Sequence, residues 1–503
     1  MSKSQHASAN QACGNPDLSA HSPLSAVLAT CAVAVASWLL MALSGCASFS
    51  GIASGAQPLA ASDLGVNQSG ISAAPAPPSA LQPDWWLAFA DPALNDLVQR
   101  ALVGNPSLKV AAARLARAEA AAGAVQASSG PQVSGAFDLT RQRFSGTSIY
   151  PTPLGGSVRT LSSAQAIASW EIDLFGRNRA AIEAAVGAQR AAQADADAAR
   201  ILLATNLVRA YVQLARLLEQ RSVAEQALAQ RTEALVLIRR RVDSGLDTAV
   251  ELRQGQGSLP ESRQQIEALA EQIMLARHAL AALSVQAPGA LNALNPALRS
   301  VPGSGLPFDL PAELPADLLG RRADIAAARW RIEAATSDMK SAKAQFYPNI
   351  NLTAFVGLAS IGLDQLIKSS SEQYGVGPAI RLPVFDSGRL RANLRVKAAD
   401  LDAAVESYNL ALIDAVHEAA DQIASIKSIA LQQREQAQAQ EAAESTYDLA
   451  KQRYQAGLST YLTVLNAEAF VLGQRRLATD LKARALDSQV QLVRALGGGY
   501  APR

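Results

Sequence analysis

The sequence predicts a mainly α chain with a small β part, built from two internal repeats. Three observations carry that expectation. Alanine supplies 103 of 503 residues while aromatics reach only 5%, a composition suited to long helices and poor in the bulky side chains of a large globular core. Between Gly388 and Gly457 lie 68 residues without Gly or Pro, and between Gly176 and Gly245 the only breaker is Gly187. Motifs also recur: Gly176-Arg177 returns as Gly388-Arg389, and Arg241 to Thr248 returns as Arg453 to Thr460, both 212 residues later.

Charge and residue usage narrow the function. Against 45 Lys+Arg stand 43 Asp+Glu, and the resulting net charge of +2 argues against a nucleic-acid binder. Of the four His, His6 and His21 fall in an N-terminal leader, leaving His278 and His417, too few for a His-based metal centre. The chain has no phosphate-cradling loop, Cys cluster or nucleophile elbow, so no catalytic residue, metal site or enzyme activity is expected.

The elements follow in chain order. Leu24 to Met41 is an apolar run, and residues 1–45 read as a signal peptide. Leu43-Ser44-Gly45-Cys46 resembles the bacterial lipobox, which makes Cys46 the lipidation site; a covalent lipid there is the one attached group expected. Cys13 and Cys31 leave with the leader, so the mature chain forms no disulfide. Ala47, in place of an Asp, points to the outer membrane. Residues 46–82 are rich in Ala, Ser, Pro and Gly without a period and read as a flexible lipidated tether.

The body divides into 83–300 and 301–503. Each unit is expected to hold a strand pair (about 131–175 and 348–385), a long helix (177–244 and 389–456) and a return helix (246–287 and 458–496). At 1.5 Å rise per residue each long helix is roughly 100 Å. Gly255, Gly257 and Pro260 predict a kink or restart in the first return helix. In the strands, Val133, Gly135, Phe137 and Leu139 alternate with Ser134, Ala136, Asp138 and Thr140, and Ile350, Leu352, Ala354 and Val356 with Asn349, Asn351 and Thr353. That period fits a half-buried soluble sheet, the commoner case, and also a membrane barrel with a wet lumen. Four strands cannot close a barrel and lipid tolerates no open edge, so a membrane sheet demands an oligomer that pools strands.

Several motifs carry a family resemblance. Trp85-Trp86 with Phe89-Ala-Asp91-Pro92, Trp170-Glu171-Ile-Asp173-Leu174-Phe175-Gly176-Arg177, Phe346-Tyr347-Pro348, Leu382-Pro383-Val-Phe385-Asp386-Ser-Gly388-Arg389 and Leu314-Pro315 through Arg321-Arg322-Ala-Asp324 resemble TolC-like outer-membrane factors. With the lipobox, the chain is similar to the lipoprotein branch serving tripartite efflux pumps. The resemblance implies a homotrimer with a 12-strand barrel in the outer membrane, continuous with a 12-helix periplasmic barrel. It implies passive conduction of cargo delivered by an inner-membrane pump and a periplasmic adaptor. Loops at Arg141–Ser162 and Leu358–Gln373 would face outside, and the connector Pro288 to Pro315 would join an equatorial belt.

By the same resemblance the Gly245 and Gly457 turns form the periplasmic tips, where the gate lies. Leu462 takes the constricting position, Thr463 a polar ring position, and Asn466 stands where this branch usually has Asp. Glu251 is the equivalent acid of the first repeat, Asp247 lies in its turn, and Tyr454 matches a tyrosine that bonds across to that acid. As alternatives, the two acids are solvated helix-end charges and Tyr454 a packing residue. The other function classes are a periplasmic adaptor lipoprotein, a structural envelope coiled coil and a secretion-type export channel. Cys46→Ser should abolish acylation, read by palmitate labelling; a labelled variant would overturn the lipobox assignment.

Overall fold

Two helical hairpins of matched length dominate the computed structural model, which describes residues 49–60, 64, 71–72, 82–298, 314–315, 321–386 and 388–501. The leader, Cys46, most of the tether and connector residues 299–313 lie outside the described residues.

A 3₁₀ turn, Trp85–Phe89, buries Trp85 and Trp86. Two helices follow, α1 (Pro92–Gly104) and α2 (Pro106–Ser128). Asp91 and Asn105 cap them, each followed by Pro at the first helical position, where a missing N–H costs nothing. Both tryptophans join Leu94, Leu97, Val98, Leu207 and Leu214 in the largest core cluster.

The long helices are α3 (Arg177–Asp243) and α6 (Arg389–Gln455), 67 residues each; the return helices are α4 (Ala249–Leu283) and α7 (Tyr461–Ala495), 35 each. Helix α5 (Ala323–Ala344) packs between α3 and α6. Both tips close alike. Gly245 (φ 71°) and Gly457 (φ 76°) adopt the left-handed conformation, while Leu246 N–H and Leu458 N–H reach back to the Arg241 and Arg453 carbonyls at 2.8 Å. Helix α3 contains a window apolar enough to cross a bilayer, but 56% of it is buried by protein. Where α3 meets α5, a Cβ on Gly187 would lie 3.1 Å from Ala334 Cα, so that crossing depends on glycine.

Helix α4 runs unbroken through Gly255, Gly257 and Pro260, against the expected restart. Tertiary packing overrides the local signal. Gly255, Ser258 and Ser262 face α3 and are buried, and a Cβ on Gly255 would come within 2.9 Å of Ile238 Cδ1. The small residues let α4 lie close enough for packing to hold it across the proline.

Strands β1 (Gln132–Arg143), β2 (Val158–Ile172), β3 (Asn349–Ile361) and β4 (Glu372–Arg381) form one antiparallel sheet in that order. The register sorts the side chains. Val133, Ala168, Ala354 and Val376 form one row, and Gly135, Ala166, Val356 and Tyr374 the next, on one face. Ser134, Asp138, Gln165, Asn351, Thr353 and Arg381 share the other. The apolar face is bare, with Val133, Tyr374 and Val376 at 74%, 83% and 76% exposure. The outer edges of β1 and β4 have no strand partner among the described residues. The strands run past the expected loop limits, so the loops shrink to 144–157 and 362–371. Alternation fades near Arg141, Arg143, Arg159 and Thr160, yet backbone pairing continues through them. At the other end β4 stops at Arg381, short of Leu382 and Val384, where Pro383 cannot donate.

The tether is not free over 49–60. Ser54 Oγ donates to Asp402 Oδ1 at 2.6 Å, Gly55 and Ala56 N–H donate to the same oxygen at 2.9 and 3.0 Å, and Leu59 N–H donates to Asn409 Oδ1 at 2.8 Å. Phe49 stacks edge-on to Phe346 with centroids 5.6 Å apart, and Ile52 joins the same cluster. No helix or strand forms over 49–60, where side chains of α6 satisfy backbone N–H groups instead, whereas further along the tether Ile71–Ser72 pairs in parallel with Leu314–Pro315. Asp402→Ala should free this strap, measured as faster proteolysis within 49–60 at unchanged helix content; unchanged cleavage would refute the docking.

A polar lock at the hairpin tips as candidate functional site

The end of α3, the first tip turn and the end of α6 meet around Asp247. Tyr454 Oη donates to Asp247 Oδ2 at 2.5 Å. Arg241 grips the same carboxylate in a fork, Nε to Oδ2 at 2.9 Å and Nη2 to Oδ1 at 3.2 Å. Its guanidinium lies 4.6 Å over the Tyr454 ring, and Tyr461 tilts against Tyr454 at 5.7 Å. Ile238, Ala450 and Val464 seal this cluster, and the Asp247 side chain is only 8% exposed.

Burial alone would push the Asp247 carboxyl up, but the hydrogen bonds from Arg241 and Tyr454 carry it below the ordinary carboxylate range. Burial and the Asp247 acceptor push the Tyr454 phenol well above its usual value. A carboxyl lowered by folding contributes stability above its unfolded pKa and loses it as pH falls through the folded one. The lock is therefore intact at neutral pH, weakens in acid as Asp247 takes up a proton, and weakens again in strong alkali as the Tyr454 phenol ionises.

Glu251 does not take part, contrary to the expected Tyr454–Glu251 bond. It sits at the third position of α4 and folds back on Thr248, accepting from the Thr248 N–H at 2.9 Å and from its hydroxyl, a capping box. The Thr248 hydroxyl bond lowers its carboxyl. Asp247, one residue before the cap, is the acid left to cross to the second hairpin. Leu462 (50% exposed), Thr463 and Asn466 lie outside the lock on an exposed stripe of α7. Arg241 and Tyr461 were not foreseen. A sequence sign of Arg241's pairing existed: Arg241 and Asp247 recur as Arg453 and Ser459, so the acid is present in one repeat only.

These parts define a class: a sheet apolar on one face and polar on the other, joined to long hairpins whose turns carry a lock, is a channel built to span a bilayer and reach far beyond it. The chain belongs to the outer membrane efflux protein family, whose pattern matches residues 97–284 and 314–498. It is 33% identical over 424 residues to the multidrug resistance outer membrane protein MdtQ of Escherichia coli O6:H1, covering 83% of this chain and 88% of that one. It is similar to the solved structure of VceC from Vibrio cholerae, at 34% identity and a TM-score of 0.78 over 84% of this chain and 100% of that one. The outer-membrane channel OprN aligns at 27% identity and a TM-score of 0.79, covering 90% and 98%. The protein is an outer-membrane efflux channel.

An alkaline titration followed by tyrosinate absorbance distinguishes the two acids. The difference between wild type and Tyr454→Phe should show a phenol that ionises later than an ordinary tyrosine. Asp247→Ala should bring it down, whereas Glu251→Ala should leave it in place. The reverse pattern would restore Glu251 as the partner.

Proposed function

We propose that this chain is the outer-membrane component of a tripartite efflux system. Three copies pool their sheets into a 12-strand barrel and their hairpins into a 12-helix periplasmic barrel, and the assembly conducts passively. An inner-membrane pump supplies the energy and a periplasmic adaptor docks the tip. The lipid on Cys46 is an auxiliary anchor. Cargo is of the multidrug class, in keeping with the name of MdtQ. The observation that carries this reading is the sheet, with two edges unpaired among the described residues and an uncovered apolar face. A structural coiled coil would not need the strands, and an adaptor would carry one hairpin where this chain has two.

In this reading the lock ties the second hairpin to the first and keeps the tip narrow, while Leu462, Thr463 and Asn466 face the pore. Hydrogen bonds to a charged partner contribute about 1.5–3 kcal/mol each when shielded, and three copies act on one pore. Asp247→Ala with Tyr454→Phe should raise conductance in planar bilayers, and Asn466→Asp should increase cation selectivity by placing a ring of carboxylates on the axis. Conductance and selectivity unchanged in both variants would remove these residues from the gate.

A further inference from the structure

Behind the tip, a second polar contact joins the two hairpins. Arg231 of α3 lies ten residues before Arg241, about 15 Å up the helix at 1.5 Å per residue. Its Nε donates to Glu468 Oε2 of α7 at 3.0 Å. Its Nη1 reaches three acceptors on α4: Ser262 Oγ at 3.0 Å, the Ser258 carbonyl at 3.2 Å and Glu261 Oε2 at 3.4 Å. The Arg231 side chain is 12% exposed and that of Glu468 only 5%. One guanidinium thus fastens three helices drawn from both hairpins. The small buried residues Ser258 and Ser262 receive it.

The repeat offset shows that helical packing does not require this pair. The residue matched to Arg231 is Ala443, and the one matched to Glu468 is Gln256. The contact therefore belongs to the junction of α3 with α7, and the matched positions on α6 and α4 carry no charge. Two charges buried without need for packing are a costly way to join helices, and replacing such pairs by neutral residues is often harmless to stability. A role in holding one particular arrangement explains them better.

The tip lock restrains the turn of the first hairpin against the last turn of α6. It does not restrain α7 by a hydrogen bond, touching it only through the packing of Tyr461 and Val464; that helix carries the exposed stripe of Leu462, Thr463 and Asn466. Glu468 does, because it sits on α7 itself, two residues beyond Asn466. We propose that Arg231 and Glu468 are positioning residues for the gate, a buried latch that sets how far α7 swings from the first hairpin once the tip lock is released. This rests on the gate reading above.

Glu468→Gln and Arg231→Ala each install the residue that the other repeat carries, and the double variant, which leaves neither charge buried alone, has the neutral pair of that repeat as its precedent. The full-length protein in planar bilayers should show each of them raising the open fraction about tenfold over Tyr454→Phe alone, the factor carried by loss of one charge-assisted hydrogen bond per chain. Combined, they should add little to either single change, because they remove one pair. Thermal unfolding of the same samples separates a structural role, which would lower the melting temperature without moving the open fraction. If Asp247→Ala with Tyr454→Phe opens the channel while the latch variants add nothing, the latch is wrong and the gate reading stands. If none of them alters conductance, both fall.

Discussion

A sheet with two bare edges and one apolar face cannot stand alone in lipid. Every backbone N–H and C=O along the outer sides of β1 and β4 would lack a partner in a medium that supplies none. The face carrying Val133, Val356, Tyr374 and Val376 would, in water, be a large exposed apolar patch. The proposed assembly answers both problems at once, since in it edges meet edges and apolar faces meet acyl chains. The opposite face, with Asp138, Gln165, Asn351 and Arg381, then encloses water. The long hairpins inherit this arrangement, since they leave the sheet directly at Gly176 and Gly388.

Small residues make helices of this length workable. Ala-rich faces let α3, α5 and α6 approach closely, and Gly187 against Ala334 shows the limit of that approach. Against so uniform a background, a row of polar pairs stands where one hairpin meets the other. Asp247 and Tyr454 close the tip, Arg231 and Glu468 sit behind it, and Arg216 with Asp480 and Arg209 with Asp487 continue up the same seam between α3 and α7. The seam between the repeats thus carries polar pairs beside its apolar contacts, Val212 with Leu486 and Val223 with Leu472.

Much of this was legible in the sequence. The long helices could be read because their signal is an absence of Gly and Pro over scores of residues, and the observed ends fall within a few positions of those expected. Strand alternation survived because the face pattern is strong where lipid would meet it. It failed at Arg141 to Arg143, where pairing depends on the backbone and not on side-chain character. Pro260 does not restart the helix because burial of the α4 face outweighs a local proline, a matter of tertiary contact. The strap at 49–60 was invisible because its partners, Asp402 and Asn409, lie some 350 residues away. Choosing Asp247 over Glu251 needed the cap geometry: a sequence shows both acids four residues apart but not which one is already engaged by Thr248.

The account depends on strands being pooled between chains, and the mass of the full-length protein in lipid nanodiscs tests that most directly. The account predicts a particle of three chains that keeps its strand signal in circular dichroism. A stable single chain with the same strand content would contradict it.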